Sequence, residues 1–141
     1  MKTVNVKTSK EDTQSGVDPV NQVIDFTSSN ESQTLEKYLW HNRDFYDLEY
    51  LPVIIDLYRL AASVFIVDKT TPRIEAYDRW TRDIELILPV SDPSLWSENT
   101  SLIIKLLSFL TGDHWKIIFT KDKSIQPQKD NRLKKKGHKL N

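Results

Sequence analysis

Three guanidinium groups and an indole crowd one stretch of this sequence. Arg73, Asp78, Arg79, Trp80 and Arg82 fall within ten residues. Arginine forks bind carboxylates and phosphates in two-pronged fashion and stack on aromatic faces. The cluster could therefore clasp an acidic partner or stack on a base. The simpler reading has Trp80 closing the edge of the core while the arginines pair with Asp78, Asp83 and Glu85. A second cationic run, Arg132-Leu133-Lys134-Lys135-Lys136, suits phosphate backbones without sequence preference. It carries no aromatic side chain on which a base could stack.

Other chemistries find no support. The three glycines, Gly16, Gly112 and Gly137, are scattered, so no phosphate-cradling loop or dinucleotide fingerprint exists. The histidines at 41, 114 and 138 lack paired ligand spacing, and there is no cysteine to complete a zinc site. No Gly-x-Ser-x-Gly elbow presents a nucleophile. Glu11-Asp12 falls in a loop-like stretch, and Asp56 and Arg59 read as the solvated side of a helix. No catalytic residue, cofactor site or metal site is expected.

These residues must be held by one modest core. The chain has 141 residues, 38% hydrophobic and 28% charged, enough for one domain and polar flanks. The absence of cysteine fits a cytoplasmic setting. The N-terminus lacks the apolar run of a signal peptide, and the stretch from Leu51 to Val67 is interrupted by Asp56 and Arg59, so no membrane span is expected. The formal net charge is zero, but residues 121–141 hold eight of the 20 basic and two of the 20 acidic side chains. The body is acidic and the tail basic. Residues 1–120 read as a single α+β domain with a polar loop at 9–21, and 121–141 as a disordered basic tail.

Alternation predicts strands at 3–7, 23–27, 83–90 and 114–120. Spacings of three and four predict a helix over 50–67, with Val53, Leu57, Leu60, Ala61, Val64 and Phe65 facing inward. A second helix is expected from a Ser97 cap to Leu110, with Leu102, Ile103, Leu106, Leu107 and Leu110 as its core stripe and Gly112 as its terminator. A short helix over 34–40 would complete the order β-β-(α)-α-β-α-β. The expected architecture is a small mixed or antiparallel sheet of about four strands covered by two main helices.

Several runs also carry a resemblance. Val67-Asp68-Lys69 and Arg73 are followed by Asp78-Arg79-Trp80-Thr81-Arg82-Asp83-Ile84-Glu85-Leu86-Ile87-Leu88-Pro89-Val90. Asp92-Pro93 and Trp96 come next, then Leu107 to Phe119 with its Leu-Thr-Gly-Asp-x-Trp core. Over about residues 48–120 the chain resembles the N-terminal region of 7-cyano-7-deazaguanine synthase-like (QueC-like) proteins, notably those of bacterial anti-phage defence operons such as Qat. In that family the region precedes an ATP-pyrophosphatase domain with a Ser-Gly-Gly-x-Asp-Ser loop and, in many members, zinc-binding cysteines. Neither is present here, so no catalytic residue carries over. The resemblance implies a non-catalytic accessory or interaction domain, split or truncated from its catalytic part. Its expected partner is a separately encoded QueC-like domain or another defence-operon protein. The lysine run also raises the expectation that residues 129–141 are frameshifted. A small nucleic-acid-binding protein acting through Arg132, Lys134, Lys135 and Lys136 is the alternative.

Overall fold

The computed structural model describes residues 1–9, 21–27 and 50–124. The expected helix over 34–40, most of the 9–21 loop and nearly all of the basic tail lie outside them. Four strands form the sheet: β1 (Lys2–Lys7), β2 (Gln22–Asp25), β3 (Asp83–Val90) and β4 (His114–Lys121). Their order is β2-β1-β3-β4, and every neighbouring pair is parallel.

The parallel pairing corrects the expectation of a mixed or antiparallel sheet, while the α+β class and the four strands stand. One-sided alternation is the usual mark of antiparallel strands. Here it arises because the described helices pack on one face. Val4, Val6, Ile24, Phe26, Ile84, Leu86, Leu88, Val90, Trp115 and Ile117 share one core with residues of the helices. The other face presents Thr3, Asn5, Lys7, Glu85, Ile87, Lys116 and Ile118, all at least partly accessible. Surface pairs Lys116–Glu85 (2.9 Å) and His114–Asp83 (3.0 Å) cross from β4 to β3. Exposed pairs of this kind add little stability.

Helix α1 runs from Leu51 to Thr70, with Pro52 in its first turn, where the missing N–H costs nothing. Its buried side is rotated from the one expected: Leu60 is buried and Val53 and Val64 pack partly against the core as expected. Leu51, Ile55, Asp56, Arg59, Leu60, Ser63 and Val67 face inward, while Leu57, Ala61 and Phe65 are exposed. Asp56 and Arg59, read from sequence as solvated, are 0% and 4% exposed.

The expected helix from Ser97 is two helices. Asp92, not Ser97, caps the first by accepting from the Leu95 N–H at 3.3 Å; α2 then spans Pro93–Glu98. Helix α3 spans Thr100–Thr111 and ends at Gly112, whose φ of 75° is the left-handed conformation expected of it. Only Leu107 of its expected stripe is fully buried, with Ile103 partly so; Leu102, Leu106 and Leu110 face outward. No helix among the described residues is long and apolar enough to cross a membrane.

Candidate functional site

The sequence cluster around Trp80 lies at the amino end of the strands, and the structure divides it in two. Arg73 and Arg82 are anchors, whereas Asp78, Arg79 and Trp80 form a displayed turn.

Arg82 is 4% exposed and opens β3. Its Nε and Nη2 donate to the two oxygens of Asp113 at 3.1 and 2.6 Å, the forked geometry that makes arginine–carboxylate pairs strong. Nη2 also reaches Asp68 Oδ1 at 2.7 Å, and Nη1 reaches the carbonyls of Thr71 (2.9 Å) and Asp68 (3.3 Å). Arg73 donates to Asp113 Oδ1 at 3.0 Å and to the Thr111 carbonyl at 2.9 Å. Burial pushes the Asp113 carboxyl up, but the hydrogen bonds and charge of Arg82, with Arg73 behind, outweigh it and hold the group below the usual carboxylate range. The partners expected from sequence, Asp78, Asp83 and Glu85, are not the ones used. Asp113 lies 31 residues beyond Arg82, and only the parallel pairing of β3 with β4 brings them together.

These anchors fix the loop between α1 and β3. A 3-10 turn at Arg73–Glu75 is followed by a turn in which the Arg79 N–H donates to the Ala76 carbonyl at 2.9 Å. Arg79 has a φ of 61°, a left-handed conformation uncommon for a residue with a side chain. Asp78 Oδ1 holds it there by accepting from the N–H groups of Trp80 and Thr81 at 2.9 and 2.7 Å. Those two bonds keep the Asp78 carboxyl below its ordinary pKa. Arg73 donates to the Trp80 carbonyl at 2.7 Å and stacks 5.0 Å from its ring centroid.

Trp80 therefore does not close the core. It is 65% exposed, and Ile74 and Tyr77 of the same loop are exposed as well. An open cleft of about 620 Å³ adjoins the loop, lined by Lys2, Thr71, Glu75, Tyr77, Arg82 and Asp83 among others. Lys2 donates to Thr71 Oγ1 at 2.7 Å, and its pKa is lowered by burial and by the Arg82 charge, against the pull of Glu75.

The carboxyl end of the sheet is where open α/β sheets bind ligands, at the point where strand order reverses. Here β1 is followed by β2 on one side and then by β3 on the other, so that point lies between the ends of β1 and β3. Among the described residues, the polar groups at this end bond within the protein. Arg59 Nη1 donates to Asp122 Oδ2 at 2.6 Å, and the Thr8 hydroxyl donates to Asp122 Oδ1 at 3.1 Å. Asp56 Oδ2 accepts from the Ser91 N–H (3.0 Å), the Ser91 hydroxyl (2.6 Å) and the Trp96 indole N–H (3.0 Å). Burial drives the Asp56 pKa up, the Ser91 and Trp96 bonds offset part of that, and the Asp122 charge adds to it. Thr8, Asp56, Arg59 and Asp122 are all buried and bond within the protein. Sequence reasoning missed this group because its members are spread from residue 8 to residue 122.

Among the described residues no three metal-ligating side chains converge. The second expected site, Arg132, Lys134, Lys135 and Lys136, lies outside those residues. No family model matches the chain, and no curated protein or solved structure matches it either.

Proposed function

We propose that this chain is a non-catalytic interaction domain that docks a partner protein through the loop at residues 73–82. One observation carries the reading: exposed Ile74, Tyr77 and Trp80 stand on a loop anchored at both ends by the ion pairs of Arg73 and Arg82 with buried Asp113. Tryptophan, tyrosine and arginine dominate binding hot spots, and a surface fixed beforehand loses little entropy on binding. The polar groups at the carboxyl end of the sheet bond one another, which supports a binding role over catalysis there.

The resemblance to QueC-like defence proteins supplies the partner class: a separately encoded QueC-like catalytic protein, or another product of the same operon. Co-expression with each neighbouring gene product tests this. A stoichiometric complex is expected, weakened about 30-fold by Trp80→Ala, the roughly 2 kcal/mol of an aromatic hot spot. Both variant and wild type should fold alike, because the side chain is mostly exposed. No complex with any neighbouring product would refute the reading. Salt-sensitive DNA or RNA binding that disappears on deleting residues 129–141 would favour the nucleic-acid alternative instead.

A further inference from the structure

Position 79 is an unusual place for an arginine. Its φ of 61° lies in the left-handed region, which glycine enters freely and a residue with a Cβ does not. Among the described residues no other non-glycine residue has a positive φ. Asp78 holds the backbone there through the N–H groups of Trp80 and Thr81, a role that needs no side chain at 79. Backbone strain of this kind gathers at binding and switch sites, where the strained residue has a use beyond the fold.

The surrounding charges narrow that use. Arg73 and Arg82 are occupied inside the protein, by Asp113, Asp68 and backbone carbonyls. Arg79 is exposed, and among the described residues its guanidinium has no carboxylate or carbonyl partner. The acids around the loop are engaged elsewhere. Asp68 and Asp113 bond Arg82, Asp83 bonds His114 at 3.0 Å, Asp78 accepts from the turn, and the Glu75 charge acts on Lys2. A planar cation with a free two-pronged face thus stands next in the chain to the exposed Trp80. It suits a single carboxylate carried on an otherwise apolar segment. A phosphate backbone fits poorly, because a row of anions laid along the loop would also meet the exposed Glu75, Asp78 and Asp83.

We infer that the 73–82 loop docks an acidic peptide segment of its partner, an aspartate or glutamate pairing with the Arg79 guanidinium while an apolar neighbour anchors on Trp80. The inference rests on the docking role proposed for this loop and adds the chemistry of what the loop receives.

Selection of random phage-displayed peptides on the full chain tests it, followed by affinity measurement of the enriched sequences. Those peptides should carry aspartate or glutamate next to an apolar or aromatic residue. Arg79→Gly should weaken them at least about tenfold, the loss of one charge-assisted pair. Arg79→Lys keeps the charge without the fork and should weaken them less. The urea midpoint of Arg79→Gly should be no lower than that of the wild type, because glycine takes a φ of 61° without strain. Peptides that need Trp80 but show no acidic preference, or bind Arg79→Gly equally well, would overturn the inference and leave the docking role standing. A midpoint that falls together with the affinity would make Arg79 a structural residue and overturn it too. Peptides indifferent to both Trp80→Ala and Arg79→Gly, or no enrichment over the Trp80→Ala variant, would remove the inference and the docking role together.

Discussion

The two ends of the sheet each bury an aspartate, and the two carboxyls are driven in opposite directions. At the amino end Asp113 lies between two guanidiniums, Arg82 and Arg73, and its pKa falls. At the carboxyl end Asp56 receives only neutral donors, from Ser91 and Trp96, with the Asp122 charge nearby, and its pKa rises. Both groups are almost wholly buried. Ionised donors beside a buried acid lower its pKa, whereas burial with neutral donors and a like charge nearby raises it. The same contrast separates roles. The amino end clamps β3, β4 and the close of α1 and holds an exposed loop. At the carboxyl end Asp56 ties α1 to the turn after β3, beside the Arg59–Asp122 ion pair.

Breaking the clamp should have the largest effect. Arg82→Met removes the fork and leaves Asp113 buried with Arg73 as its remaining charged partner. A loss of about 3–5 kcal/mol is expected in urea denaturation. A loss below about 1 kcal/mol would show that the two ends are energetically alike.

The pH dependence should split the ends next. Asp113 has a folded pKa below its unfolded value, so its contribution is present above about pH 4 and is lost as pH falls through the folded value. Asp56 has a folded pKa above its unfolded value, so its contribution is present below about pH 4 and is lost as pH rises through the folded value. An asparagine placed with its oxygen at the Oδ2 position keeps the acceptor used by Ser91 and Trp96. Asp56→Asn should thus remove the decline that begins as pH rises above about 4 and leave the loss from Asp113 at lower pH in place, as read from denaturation midpoints across pH. An unchanged decline above about pH 4 would mean that the Asp56 pKa is not raised by folding.

The smallest effect sharpens the carboxyl end. Trp96→Phe keeps the ring in the core and deletes one donor to Asp56, at a cost of about 1 kcal/mol. Carboxyl NMR titration should show the Asp56 pKa moving further up. A downward movement would assign the indole bond to the protonated acid instead.

Much of this architecture was legible locally. The alternation over Asp83–Val90 gave β3 its full span, and Gly112 marked the end of α3. What could not be read locally was which side of each helix faces in. In α1, Ile55, Leu60 and Val67 define one apolar stripe and Leu57, Ala61 and Phe65 another. Choosing between them depends on a counter-charge for Arg59 that lies past β4. In α3 both sides are apolar, so periodicity alone could not separate core from surface. The Arg73–Arg82 region was found from composition, but its true counter-ion, Asp113, belongs to a different part of the chain. Strand direction was misjudged for a related reason: helices packed on one face give parallel strands an alternation usually seen in antiparallel ones.

Asp122 has a consequence for biosynthesis. Its bonds to Thr8 and Arg59 span 114 and 63 residues. Contacts this distant along the chain form late, after loops of comparable length have closed. During translation the carboxyl end of the sheet therefore stays unlatched until the segment holding Asp122 has cleared the ribosome. The clasp that joins β1 to β4 is made only after all four described strands have been supplied.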